Sequence, residues 1–333
     1  MGESPCAQYY IALMRDSINI GCWAIGEHAR RNIIPAIHKS KTTFLGAICT
    51  RNEEVLKAES EKYGCRAYTN PDDLLNDQTL DAIYICSPNG LHFSQAQRCL
   101  EAGKSILVEK TAFLSVRETE LIIETAQSLN LIVMEAFMYR FHEQFTRLRS
   151  MLDEHVIGKV LKIDIEFGFP HLELPNIRYS KKLGGGALND AGAYTISAAR
   201  QLIGKNIKIL ASHLCEDKNY SVDTSGTALL KNNSATVACS WAFGASYRNR
   251  IEIWSEKYNV ICDRAFSKPE ALETMITLVN SQGEEILIPV PPDNHFVNMI
   301  EYFSKKIRQG DISSEYDEMV DQAKLMQAIR QNA

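Results

Sequence analysis

Short, uniformly apolar runs recur through the first 150 or so residues, each followed by a stretch with helical periodicity. They lie at 18–24 (INIGCWA), 43–50 (TFLGAICT), 82–87 (AIYICS), 105–110 (SILVEK) and 131–137 (LIVMEAF). Each is too short for an isolated helix and too apolar throughout for a strand with one wet face. Strands buried on both faces of a parallel sheet have this character. Between the runs, Ile33, Ile34 and Ile37 stripe one helix. Val55, Leu56 and Tyr63 mark a second, and Leu121, Ile122, Ala126 and Leu129 a later one. Asn70-Pro71-Asp72 and Ser87-Pro88-Asn89-Gly90 are turn chemistry. The alternation predicts a doubly wound, parallel α/β domain over 18–140.

After Gly158 the period changes to two. KVLKIDIEFG (159–168) alternates between faces, as do stretches near 207–215, 226–231, 235–242, 250–254 and 285–290. A predominantly antiparallel, open-faced sheet is expected in a second α/β domain over 141–333, with helices at 187–203 and towards the C-terminus. An open sheet face needs a cover, and a second subunit supplies one, so a homodimer or homotetramer through this sheet is expected. Residues 1–17 read as an N-terminal extension, and translation could begin at Met14.

Two domains suit a chain of 333 residues. The net charge of -5 carries no Lys/Arg block that would follow a phosphate backbone, so no nucleic-acid partner is expected. No apolar run approaches the roughly 18 residues of a membrane span. The first residues lack the basic start and long apolar core of a secretory signal, which predicts a cytoplasmic protein. The nine cysteines include no CxxC pair, so they read as reduced, buried small hydrophobes, and no metal site is expected.

The turn after the first run reads Ala24-Ile25-Gly26-Glu27-His28-Ala29. A dinucleotide fingerprint has the form G-x-G-x-x-G/A between a strand and a helix. Its second glycine admits the pyrophosphate to the backbone, and the helix N-terminus supplies N–H donors. Gly26 holds that second position, Ala29 the small third, and Ala24 replaces the first glycine. The domain is therefore expected to be a Rossmann domain with a nicotinamide dinucleotide at residues 24–28. The second run ends in Thr50-Arg51 where NAD-binding chains place an acid for the ribose 2′-hydroxyl. A hydroxyl and an arginine suit the 2′-phosphate of NADP(H), which is favoured, with NAD(H) left open.

Four more segments sharpen the reading: S-P-N-x-x-H (87–92), A-G-K-S-I-L-V-E-K (102–110), M-E-A-F-M-Y-R-F-H (134–142) and G-G-G-A-L-N-D-A-G-A-Y (184–194). With the order of elements, they resemble the glucose–fructose oxidoreductase, inositol dehydrogenase and rhizopine catabolism superfamily, from about residue 18 to the C-terminus. The tyrosine-containing glycine motif looks nearest the branch of glucose–fructose oxidoreductase, dimeric dihydrodiol dehydrogenase and nucleotide-sugar ketoreductases. The resemblance implies hydride transfer between NAD(P) and a CH–OH or ketone carbon of a sugar, nucleotide-sugar or cyclic polyol. Two alternatives stay open: a dinucleotide-binding regulator without turnover, and a dihydrodiol dehydrogenase acting on an aromatic diol.

Such chemistry needs a positioned acid/base and a donor at the developing oxyanion. By motif match, Lys110 is the lysine beside the substrate hydroxyl, Tyr194 the proton donor and Asp190 the orienting aspartate. Asp190 and Tyr194 are four residues apart and should share a helix face. Lys110 should also lower the Tyr194 pKa. Ser87, Pro88, Asn89 and His92 match the turn along the cofactor, and Glu109 fixes the neighbouring backbone or contacts the cofactor ribose. Arg140 and Arg178 are candidates for substrate oxygens or a substrate phosphate. Thr111 stands where the family usually has proline, and its peptide is expected to be trans. Specificity is expected in the loops 169–183 and 243–249.

Overall fold

The computed structural model describes residues 17–311 and 313–333. Residues 1–16, most of the expected extension, with Met14 and Cys6, lie outside the described residues. The first sheet has six parallel strands in the order β3-β2-β1-β4-β5-β6: β1 Ile18–Trp23, β2 Thr43–Cys49, β3 Arg66–Tyr68, β4 Ala82–Ile85, β5 Ser105–Glu109 and β6 Val133–Ala136. β4 is buried throughout, as are β6 and all of β5 except Glu109, because helices cover both faces. These helices are α1 Ile34–Lys39, α2 Glu53–Tyr63, α3 Pro71–Leu75, α4 Asn89–Glu101 and α5 Val116–Ser128. β3 has no counterpart among the apolar runs because Arg66 and Ala67 are exposed and Tyr68 half-buried.

The strand order reverses between β1 and β4. In an open sheet the crevice at the carboxyl ends of such strands receives the ligand. The turn after β1, the turn after β4 and the Glu109-Lys110 end of β5 all open into that crevice.

The second sheet has eight strands in the order β14-β13-β12-β11-β7-β10-β9-β8, antiparallel except for β7 with β10. They are β7 Val160–Phe169, β8 Lys208–Asp217, β9 Val222–Lys231, β10 Thr236–Phe243, β11 Arg248–Ser255, β12 Tyr258–Asp263, β13 Thr274–Asn280 and β14 Glu285–Val290. Ile163, Ile165 and Phe167 of β7 and Ile251 and Ile253 of β11 are buried. The helices α6 Glu143–Asp153 and α7 Ala193–Ile203 pack on that face. The alternate residues Lys162, Asp164, Glu166, Arg250 and Glu252 make ion pairs on the other face, where Trp254 is 60 % exposed. The last helices, α8 His295–Gln309 and α9 Ser313–Gln331, return to the first domain. Glu301 and Arg308 bond the Lys41 amide and the Thr42 carbonyl, and α9 packs on α5.

No helix among the described residues is long and apolar enough to cross a membrane. The eight described cysteines are free. Cys215 is exposed and Cys65 and Cys86 are half-buried, so the expectation of buried thiols fails at these three. The edge strand β8 turns Cys215 outwards.

Candidate active site

The turn after β1 is built on an unusual conformation. Ala24 has a φ of 67°, the left-handed region that costs an L-residue about 1–2 kcal/mol and that glycine enters freely. The alanine therefore reproduces the bend that the first glycine of the fingerprint makes. Gly26 is exposed, and a Cβ there would meet nothing within 4 Å, so the backbone is open to a large anion. Ile25 is buried and anchors the turn. Glu27 is exposed and pairs with Arg31 at 2.6 Å. Helical turns begin at Glu27 and pass through a π turn at Ala29–Ile33 before α1. Pro35, which lacks an N–H, lies just after that turn. At the end of β2, Thr50 is half-buried, and Arg51 is exposed with no ion pair among the described residues. An open glycine turn and a free cation past β2 fit a dinucleotide with a ribose phosphate.

His28 Nε2 lies 3.3 Å from Glu109 Oε1, which also accepts from Tyr84 Oη at 2.8 Å. Burial pushes the Glu109 carboxyl up, but His28, Tyr84 and Lys110 outweigh it and hold it below the usual range. Glu109 thus stays a carboxylate that joins the glycine-loop helix to β4 and β5.

Lys110 Nζ contacts Asp190 Oδ1 and donates to the Asp190 carbonyl at 3.2 Å. Arg178 Nε donates to Asp190 Oδ2. Burial alone would raise Asp190, but the two cations hold it well below the ordinary carboxylate range. Lys110 Nζ stands 4.8 Å from the centre of the Tyr194 ring. The Tyr194 hydroxyl donates to Met138 Sδ at 3.3 Å. Its ring is boxed edge-on by Phe137 and Phe167, at 5.8 and 5.4 Å. Lys110, Asp190, Arg178, Tyr194, Met138 and Phe167 border one cleft of about 420 Å³ with Phe169, Leu172, Ile177 and Tyr247. Both specificity loops expected from the sequence therefore contribute walls.

Four sequence expectations are corrected. Tyr194 titrates well above its ordinary value. Burial dominates, Glu109 and Asp190 add to it, and the Lys110 charge is already matched by Asp190. The Lys110–Thr111 peptide is cis, not trans, and the groups after it are tied to neighbouring segments. Thr111 Oγ1 donates to the Asn189 carbonyl at 2.9 Å, and the Ala112 amide donates to Glu135 Oε1 at 2.8 Å. His92, expected along the cofactor, is fully buried and absent from the cleft wall. Its ring joins the Ser87 carbonyl at 2.8 Å to those of Thr111 and Ala112 at 3.0 Å, pinning the turn after β4 to the Lys110 loop. Arg140 is absent from the cleft wall and makes a two-pronged pair with Glu315 at 2.9 and 3.1 Å. A buried guanidinium requires such a partner.

Ser87 is buried, its hydroxyl donating to Gln95, while Pro88 and Asn89 are half-buried at the start of α4. Asn89 Nδ2 lies 3.4 Å from the Gly184 carbonyl, so the glycine run meets the cofactor turn directly. Gly185 is required there, since a Cβ would lie 2.4 Å from the Arg178 carbonyl. Asp190 lies in a π turn, Leu188–Gly192, and Tyr194 in the α7 that follows, so they adjoin across a change of helical period.

Sequence reasoning missed Glu135, Met138, Phe167 and Lys268. Glu135 carried a signal, an acid near the end of an apolar strand. The other three had none, because an ordinary lysine, methionine or strand phenylalanine does not announce which cleft it borders. Among the described residues, no group of three or more His, Cys, Asp or Glu could hold a metal ion.

Residues 19–137 match an oxidoreductase family with an NAD-binding Rossmann fold, and residues 145–260 match the GFO/IDH/MocA C-terminal domain. The chain is 28% identical to a dTDP-3,4-didehydro-2,6-dideoxy-alpha-D-glucose 3-reductase of Saccharopolyspora spinosa, over 96% of this chain and 98% of the relative. It is 27% identical to D-xylose 1-dehydrogenase (NADP(+)) 2 of Haloferax volcanii, over 91% and 93% of the two chains. Among solved structures, it resembles the 3-ketoreductase KijD10 from Actinomadura kijaniata in complex with NADP and TDP-benzene. That likeness has a TM-score of 0.91 at 28% identity, covering 95% of this chain and 98% of the other. With both domains matched and the lysine, aspartate and tyrosine gathered at one cleft, the chain belongs to the GFO/IDH/MocA family of oxidoreductases.

Proposed function

We propose that this enzyme is an NADP(H)-dependent ketoreductase or dehydrogenase acting on a sugar or nucleotide-linked sugar. The observation that carries the reading is the convergence of Lys110, Asp190, Arg178 and Tyr194 where Ser87, Asn89 and Glu109 also border the cleft. NADPH supplies the hydride when bound, leaving the substrate oxygen as an alkoxide. Lys110 stabilises that charge, aimed by Asp190. Tyr194 donates the proton; its raised pKa keeps it a phenol at neutral pH, which suits the reductive direction. Arg178 presents a half-exposed guanidinium edge to substrate oxygens. Thr50 and Arg51 read the ribose 2′-phosphate. The apolar and aromatic walls favour a deoxygenated sugar face, and leave an aromatic diol as the second reading.

The test is titration with NADPH and NADH by nicotinamide fluorescence, then turnover on a nucleotide-linked ketosugar, xylose and a trans-dihydrodiol. NADPH binding with turnover of a sugar is expected. Binding of neither nucleotide would overturn the reading, and turnover of the diol alone would replace it. The open face of the second sheet is proposed as the surface of a cytoplasmic homodimer or homotetramer. Trp254→Glu should then lower the mass measured by sedimentation, and an unchanged mass would place the interface elsewhere.

A further inference from the structure

One wall of the cleft carries a lysine that hydride transfer does not use. Lys268 is 6 % exposed and borders the cleft. Its Nζ donates to Gln144 Oε1 at 2.8 Å and to the Ala265 carbonyl at 3.2 Å. An ammonium has three N–H donors, and no carboxylate lies within ion-pairing distance of this one among the described residues. His142 and His295 are also buried, with ring centres 5.6 Å apart. The His295 ring packs on Phe296 at 4.6 Å, and Phe296 meets the His28 ring of the glycine loop at 5.7 Å. His142 Nε2 and His295 Nδ1 have no hydrogen-bond partner among the described residues. Lys268 is thus backed by two buried histidines, and Phe296 stands between His295 and His28. The nearby acids are committed: Asp293 accepts from the Glu143 amide and Asn298 Nδ2, both at 2.9 Å, and Glu109 is held by His28 and Tyr84. A buried lysine without a matching carboxylate among the described residues, on the wall of a cleft that His28 of the glycine loop also borders, calls for an anion.

We propose that Lys268, backed by His142 and His295, binds a diphosphate in the cleft. The inference rests on the ketoreductase reading. The diphosphate belongs either to the dinucleotide or to a nucleotide-linked sugar, and the two sources are separable. Burial pushes Lys268 down to about 7, against the pull of Cys262 and Asp293. Burial, Lys268, His142 and His28 keep His295 low. Burial, with Lys268 again, pushes His142 down to about 4 against Asp293. A bound anion returns the proton to Lys268, so binding above pH 7 takes one up and weakens as pH rises through 7.

Calorimetry on the full chain at pH 8, in two buffers of different ionisation enthalpy, reads both affinity and proton uptake. The probes are 2′-phospho-ADP-ribose, which keeps the dinucleotide diphosphate without nicotinamide, and thymidine diphosphate. Wild-type protein should take up a fraction of a proton with one of them. Lys268→Met should abolish that uptake and weaken the same probe about tenfold, the low end for a hydrogen bond to a charged group. Lys268→Arg should restore most of the affinity without the uptake. An effect confined to 2′-phospho-ADP-ribose assigns the site to the dinucleotide, and one confined to thymidine diphosphate assigns it to the substrate. Wild-type uptake and affinity in Lys268→Met for both probes would overturn the inference while leaving NADPH binding, and the ketoreductase reading, intact. Failure of wild-type protein to bind NADPH or either probe would overturn both.

Discussion

At the scale of single residues, charge at the cleft is arranged as a relay of contacts. Arg178 and Lys110 share Asp190, and Lys110 lies over the ring of Tyr194. Lys110→Ala removes the cation at the developing oxyanion, and kcat should fall at least about 100-fold with the circular dichroism spectrum unchanged. Near-wild-type turnover would remove Lys110 from the chemistry. Glu135 is a different kind of residue: it touches no part of the cleft, yet it holds the Ala112 amide two residues beyond Lys110. Burial raises its pKa from 4.5 to about 7, against the Ala112 hydrogen bond and the more distant Arg200. The folded chain therefore binds this proton more tightly than the unfolded chain does. Stability is fullest below pH 4.5 on this account and declines as pH rises towards 7, by about 3 kcal/mol in all. Glu135→Gln keeps the acceptor and removes the titration. Its stability relative to wild type should grow between pH 4.5 and 7 and then level off, as urea unfolding at several pH values would record. A difference independent of pH would mean that Glu135 does not titrate there.

At the scale of elements, ends of strands decide function. β1, β4 and β5 each deliver a short polar segment to the same edge, and β2 delivers Thr50 and Arg51 beside them. Arg51 has no ion-pair partner among the described residues, so Arg51→Ala should cost the fold little. It should weaken NADPH about tenfold and leave NADH unchanged, in the fluorescence titration already described. Equal losses for both nucleotides would remove Arg51 as the reader of the 2′-phosphate. The glycine loop shows how an element tolerates a departure from its motif. Ala24 adopts the bend a glycine would make, so the motif is legible in backbone angles where its letters had changed.

At the scale of the whole molecule, the two sheets are tied by the C-terminal helices. Arg140, just beyond β6, pairs with Glu315 near the start of α9, and both side chains are largely buried. Removing one partner leaves an unmatched charge, which costs about 3 kcal/mol or more. Glu315→Ala should lose that much in urea unfolding; a change under about 1 kcal/mol would show that water reaches the guanidinium.

The periodicities of the sequence alone determined the parallel first sheet, the mainly antiparallel second one and the change between them, because burial on two faces or on one writes itself into the spacing of apolar residues. The glycine-rich turns were also legible, and the Glu109-Lys110 and Asp190-Tyr194 segments stood out through their resemblance to the family's motifs. Only the tertiary structure decided that Arg140 faces Glu315 rather than substrate, that His92 is a clamp under the Lys110 loop, and that Tyr194 is held as a phenol. It also brought Lys268, His142 and His295 together from segments far apart in the chain. Burial and the identity of a distant partner set charge state and availability, and neither is a property of local sequence.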